Sequence, residues 1–197
     1  SCDRRKTTNE IDKNTHFQKG LSAYRTGNYA TALYEWMQIA ELASTLISAN
    51  EVVMLGSGAT TLELARILAA GDTSLTIITN SIQAAMVLGP NKLIRTLLAP
   101  GEYDSQEGFL WGHETTEFLE KFHVDLVAFS VDGLSSMGVM EIDSRTTWVL
   151  RTMVAQARRR MLLVDHSKHH QKSLELVCNL ADMDVVVTDK MPDYELL

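Results

Sequence analysis

Residues Val52–Leu68, VVMLGSGATTLELARIL, decide the fold. The run Val52–Leu55 is apolar and fits a buried strand. Gly56-Ser57-Gly58 is a small-residue turn. From Thr60 to Ala70 the pattern is helical. The same alternation continues downstream. Further strands are predicted at Leu75–Thr79, Leu93–Leu98, Leu126–Phe129, Met161–Val164 and Val185–Thr188. Further helices are predicted at Ile82–Leu88, Glu114–Phe122, Ser144–Arg159 and Lys172–Leu180, the last placing Cys178 in a helix. In the segment from Ser144, residues Val149, Leu150, Met153, Val154 and Ala157 share one face. Arg158-Arg159-Arg160 is expected to close that helix, where cations complement the dipole. Alternating elements with apolar runs such as Val185-Val186-Val187 imply an α/β fold, a mostly parallel sheet with helices on both faces. Pro90 and Pro100 fall between elements. The interval from Pro100 to Trp111 has no clear period, and reads as a long loop or a pair of edge strands.

Upstream, residues 1–15 are polar and read as a flexible tail. Residues 16–42 read as a helical pair broken at Gly27-Asn28, with Tyr29, Leu33, Trp36, Met37 and Ala40 at helical spacing in the second helix. Residues 43–197 form the expected α/β domain. The full 197 residues suit one domain with a small extra element. The net charge of −7 argues against nucleic-acid binding by this chain alone, since phosphate contacts need a basic footprint. Cys2 and Cys178 make neither a disulfide framework nor a zinc spacing, so a reduced, cytoplasmic setting is expected. No apolar run reaches the roughly 18 residues of a membrane span.

In an open parallel sheet, ligands bind beyond the carboxyl ends of the strands. Those ends carry Gly56–Thr61, Asn80-Ser81, Pro100-Gly101-Glu102, Ser130–Gly133, Asp165–Lys168 and Asp189-Lys190. The first loop combines glycines that admit close backbone approach, hydroxyl donors, and a following helix with unpaired amides. These suit an anion, or simply a tight turn. It is neither a phosphate loop with Gly-Lys-Ser/Thr nor a full dinucleotide fingerprint. Lys168 is placed either to meet a phosphate as a point charge or to lie on the surface. Asp165 is placed to orient Lys168, to bond a hydroxyl, or to cap a helix. Asp165, His166 and His169 make an imaginable metal set, but no standard signature is present, and His113, His123 and His170 read as loop histidines. Trp111 and Trp148 read as core or interface residues.

Taken in order, Val52–Leu68, LTIITNS (Leu75–Ser81), DLVAFSVDG (Asp125–Gly133), LLVDHSK (Leu162–Lys168) and DVVVTDK (Asp184–Lys190) resemble the C-terminal domain of DeoR-family transcriptional regulators, from about residue 43 to 192. The family loop Asp-x-Gly-Thr-Thr stands here as Gly56–Thr61, with Ala59 at one hydroxyl position. The family's Gly-Gly stands as Pro100-Gly101. That domain is similar in turn to ribose-5-phosphate isomerase. The resemblance implies a sugar-phosphate pocket, with Gly56, Ser57, Gly58, Ala59, Thr60, Thr61 and Lys168 on the phosphate and Asn80, Asp132, Gly133 and Asp165 on the sugar. The isomerase's Asp-Gly-Ala-Asp stands as Phe129-Ser130-Val131-Asp132, which keeps only the second aspartate. Met137-Gly138-Val139 stands near its Lys-Gly-Gly-Gly. Proton transfer between carbons needs a positioned carboxylate base. Glu141 and Asp143 are candidates that lack the rest of that constellation.

The expectation is therefore an effector-binding domain rather than an enzyme, with no cofactor and no metal. The alternative is an aldose–ketose isomerase. Expected partners are a phosphorylated sugar or related metabolite, a further copy of the chain, and DNA only through a helix-turn-helix that these residues do not contain. No membrane partner is expected. Gly20–Glu41 (GLSAYRTGNYATALYEWMQIAE) also resembles one Sel1 or tetratricopeptide unit. One unit cannot bury both faces, so it must pack on the α/β domain or on a partner.

Overall fold

The computed structural model describes residues 29–193 of the chain. The expected tail and the first helix of the N-terminal pair lie outside the described residues. The second helix is α1, Tyr29–Ser44. It is not free-standing. Ala32, Trp36, Ile39, Ala40 and Ala43 recur at three- and four-residue spacing and are all buried. Ile39, Ala40 and Ala43 join the same apolar cluster as the strand residues Val53, Leu55 and Ile77.

The strands of the main sheet are β1 (Val52–Leu55), β2 (Leu75–Thr79), β3 (Ile94–Leu98), β6 (Val124–Phe129), β9 (Ala157–Leu163) and β11 (Val185–Val187). They lie in the order β11-β9-β6-β1-β2-β3, with every pair parallel. Helices α2 (Ala59–Ala70) and α3 (Ile82–Leu88) follow β1 and β2. Helices α4 (His113–Leu119) and α5 (Ser144–Ala155) precede β6 and β9. Alternate strand residues face opposite layers. Val53, Leu55, Leu126 and Ala128 pack with α1 and α2, whereas Met54, Val127 and Phe129 pack with α5. Both faces are covered, which is why the strands read as continuous apolar runs. The chain moves outward from β1 to β3 and then returns to β1's other side as β6. In open parallel sheets, ligands bind beyond the carboxyl ends at such a reversal, which here falls between β1 and β6.

The Pro100–Trp111 interval forms an antiparallel pair, β4 (Glu102–Asp104) and β5 (Phe109–Trp111). Gly101 permits this excursion. Its φ is +144°, and a Cβ there would overlap Thr115 Oγ1 and Trp111 O.

Two expected elements are corrected. The helix from Ser144 stops at Ala155, and Ala157 already begins β9, so the arginines lie on a strand and not at a helix C-terminus. Only Gln156 separates the elements, with no glycine or proline to mark the change. The arginines sit at the amino-terminal end of the sheet. Arg159 pairs with Glu51 at 2.7 Å, and the Arg160 amide donates to Asp184 at 2.8 Å. The helix expected at Lys172–Leu180 is instead β10, Glu175–Cys178, so Cys178 lies on a strand. β10 pairs antiparallel with β8 (Gly138–Glu141), which forms a hairpin with β7 (Gly133–Ser135). That partner comes from more than thirty residues upstream, and no local periodicity reports it.

Replacing Ile39 by Ala is expected to destabilise the chain by about 2–4 kcal/mol in urea unfolding, because it opens a cavity between α1 and the sheet. Tyr34→Ala, on the outer face of α1 and 61 % exposed, should change stability by less than about 0.5 kcal/mol. Equal effects would show that α1 is not part of the core.

Candidate functional site

Carboxyl ends of three neighbouring strands, β1, β6 and β9, bring the proposed site residues to one edge. The β1 loop divides its work. The Gly56 amide donates to Ala128 O at 2.9 Å, and a Cβ at Gly56 would press on Phe129. Gly56 thus continues the ladder and keeps β6 close. Gly58 has φ +140° and offers α2 no side-chain cap. The first backbone bond into α2 runs from the Leu62 amide to Gly58 O, so the amides of Ala59, Thr60 and Thr61 precede the helical ladder. The Thr61 hydroxyl donates to Gly58 O at 3.0 Å and steadies the turn. Ser57 and Ala59 are half-buried beside it, and Thr60 is buried.

The β6 loop lies against this turn, since a Cβ at Gly58 would overlap Ser130 Oγ. Two residues on, Asp132 is exposed, and its Oδ1 stands 3.7 Å from Lys168 Nζ. Glu141, at the end of β8, brings its carboxyl against that of Asp132. Its own Oε1 accepts the Ile142 amide at 2.9 Å. Burial, then the Asp132 hydrogen bond and charge, push the Glu141 carboxyl up to about 9. At neutral pH it therefore keeps its proton and serves as a donor. The sequence marks Glu141 only as one of two candidate bases; the hairpin return that carries it to Asp132 has no sequence signature. The other candidate, Asp143, caps α5 and pairs with Arg145, whose guanidinium holds it below the usual carboxylate range. Gly133 begins β7, and a Cβ there would strike Gln171 O, so this glycine lets the segment after Lys168 pass close by.

Asn80, at the end of β2, is buried and donates through Nδ2 to Leu110 O at 3.0 Å. Its Oδ1 has no protein partner among the described residues. Asp165 is 3 % exposed. One of its oxygens accepts the Ser167 amide at 2.9 Å, and the other accepts the Trp36 indole N–H at 3.3 Å. It caps the single 3₁₀ turn His166–Lys168.

Glu35, His166 and Asp189 bring one potential ligand atom each within 4.8 Å of one another. His169, which the sequence grouped with His166, is not part of this set; its Nε2 lies 3.2 Å from Thr188 Oγ1. The hydrogen bonds around His166 already occupy its ring. Lys190 Nζ can only donate and lies 2.9 Å from Nε2, which leaves the ring proton on Nδ1, 2.5 Å from Asp189. That is a hydrogen-bonded chain from lysine through imidazole to carboxylate. Away from this edge, a groove is lined by Trp111, Arg145 and Trp148. The Arg145 guanidinium stacks 5.2 Å from the Trp111 ring centre, and Trp148 is 66 % exposed.

These features define an α/β domain whose strand ends bring the uncapped start of α2, Lys168, Asp132 and the Glu141 carboxyl to one edge. The chain belongs to the DeoR C-terminal sensor domain family, whose model matches residues 33–190. It is 33 % identical to the HTH-type transcriptional repressor GlcR of Bacillus subtilis, over 85 % of this chain and 64 % of that protein. It is 30 % identical to the HTH-type transcriptional repressor CsqR of Escherichia coli, over 80 % and 60 %. It is 28 % identical to the glycerol-3-phosphate regulon repressor of Escherichia coli, over 85 % and 67 %. The chain thus spans about three-fifths to two-thirds of the length of these relatives. Among solved structures, ribose 5-phosphate isomerase A of Methanocaldococcus jannaschii superposes with a TM-score of 0.51 at 19 % identity, over 73 % of this chain and 55 % of that one. The eIF2B delta chain of Chaetomium thermophilum superposes with 0.54 at 11 % identity, over 78 % and 55 %. At such identities the likeness concerns the fold alone.

Glu141 binds its proton more tightly folded than at its ordinary value of 4.5, so the folded chain holds more protons between about pH 4.5 and 9. This contribution to stability is full at low pH and fades as pH rises through that window. Glu141→Gln should remove it, so that the loss of melting temperature from pH 6 to about pH 9 is smaller in the variant than in the wild type. Parallel pH profiles would show that the carboxyl is not shifted.

Proposed function

We propose that this domain binds a phosphorylated sugar or related metabolite at the β1–β6–β9 edge, without turning it over. The observation that carries the reading is Lys168 standing beside Asp132 while the uncapped start of α2 borders the same loop. The phosphate would take the amides of Ala59, Thr60 and Thr61, the hydroxyls of Ser57 and Thr60, and the Lys168 ammonium. Gly58 keeps the backbone open for that approach. Sugar hydroxyls would meet Asp132, the Glu141 carboxyl and the free Oδ1 of Asn80. Gly56, Gly133 and Asp165 serve the pocket by holding its walls.

In a regulator that joins this domain to a helix-turn-helix, ligand would change DNA affinity by binding two arrangements of the protein unequally. The relatives' roles as transcriptional repressors support this use. A homo-oligomer and a cytoplasmic setting are part of the same proposal. Among the described residues no helix is long and apolar enough to cross a membrane.

A second reading, sugar-phosphate isomerisation, draws on Glu141 beside Asp132 and Lys168. A carboxyl protonated at neutral pH is a poor base, and Phe129 stands where the isomerase pattern has its first aspartate. This favours binding. Sustained interconversion of ribose 5-phosphate and its ketose by the wild-type chain would overturn it.

A panel of sugar phosphates is expected to raise the melting temperature, because ligand bound to the native state must stabilise it. Lys168→Ala should weaken the best ligand by roughly tenfold or more, through loss of a charge-assisted bond. Gly58→Ala should abolish the shift, since its Cβ would collide with Ser130. A panel without any shift, or a shift unaffected by both substitutions, would sink the pocket.

A further inference from the structure

Helix α1 meets the sheet mostly through apolar side chains, which need no particular partner. Trp36 differs. It is 3 % exposed, and its indole N–H crosses 129 positions of sequence to donate to Asp165. A buried carboxylate depends on its donors, and losing one leaves an oxygen without compensation. Asp165 in turn organises the residues after β9. Its side chain accepts the Ser167 amide, and its carbonyl accepts the Lys168 amide at 3.0 Å. The next residue of the turn is tethered as well. The His166 amide and ring both meet Asp189, and Glu35 Oε1 stands 4.0 Å from the ring nitrogen. Two consecutive residues of α1, Glu35 and Trp36, therefore touch the two residues that lead into Ser167 and Lys168.

We propose that Trp36 is a positioning residue for the effector pocket. It holds Asp165, which holds the turn that aims the Lys168 ammonium at the ligand beside Asp132. The proposal rests on the reading of Lys168 as a phosphate ligand. Coupling of this kind is reciprocal. An anion that draws on Lys168 loads the turn and, through Asp165, loads α1. The segment attached before Tyr29 is then joined to a helix whose seating depends on pocket occupancy.

Trp36→Phe keeps an aromatic ring in the core and removes the N–H. Asp165→Asn keeps the side-chain shape and the acceptor for Ser167, but can turn an amide N–H toward the indole. Both are tested in the full chain. Without ligand, hydrogen exchange at the Ser167 and Lys168 amides should quicken about fivefold in each variant, while exchange in β1 and β2 stays unchanged. With inorganic phosphate as the probe, calorimetry should find binding about threefold weaker or more in each variant. The double variant should be no weaker than Asp165→Asn alone, because both changes cut the same bond. Unchanged exchange at both amides, or losses that add in the double variant, would overturn the proposal. Phosphate binding that neither variant weakens would overturn it and leave the pocket reading standing. A wild-type chain that does not bind phosphate would overturn the pocket reading itself, and with it the role of Trp36.

Discussion

Covering both faces of a parallel sheet leaves its polar chain ends nowhere to go but the two edges. Here six strands run the same way between helical layers, so every carboxyl end emerges on one side. The reversal between β1 and β6 sends the connections after these two strands in opposite directions. Polar groups that the core rejects collect at that edge, and they find partners in each other rather than in the apolar layers. Site and core are two consequences of one arrangement.

The edge sorts residues that look alike in the sequence. Gly56 and Gly58 are two positions apart. The first spends its amide on the ladder with β6, whereas the second stands at positive φ and leaves the start of α2 uncapped. Asp132 and Asp165 both follow strands. Asp132 is exposed beside Lys168, while Asp165 is enclosed and committed to Trp36 and Ser167. One aspartate is open to solvent and the other is enclosed. Burial, not residue type, assigns the roles.

Glu141 shows the same principle in a proton. Its carboxyl lies where hydration is lost and Asp132 is close, so keeping the proton costs less than keeping the charge. A sugar hydroxyl, which both donates and accepts, suits such a pair. A base for carbon deprotonation does not. The structural likeness to an isomerase concerns the scaffold alone.

Much of the scaffold was legible because it is local. The strands Val52–Leu55 and Leu75–Thr79 and the helix Ile82–Leu88 stand where apolar runs, glycines and helical spacing put them, since each is decided by neighbours within a few residues. The boundary at Gln156 was not legible, because α5 passes into β9 with no breaking residue and the apolar spacing runs on. β10 was not legible either, because its partner is the distant β8 and a short apolar segment fits a helix or a strand equally well. The sequence by itself determined the glycine turn, the lysine and the six strands of the main sheet, through chain geometry and burial of alternating faces. Only the tertiary structure decided that Glu141 would lie against Asp132 and that Trp36 would reach Asp165. Those contacts join segments that are far apart along the chain, and their energies depend on an enclosure that exists only once the sheet has closed around them.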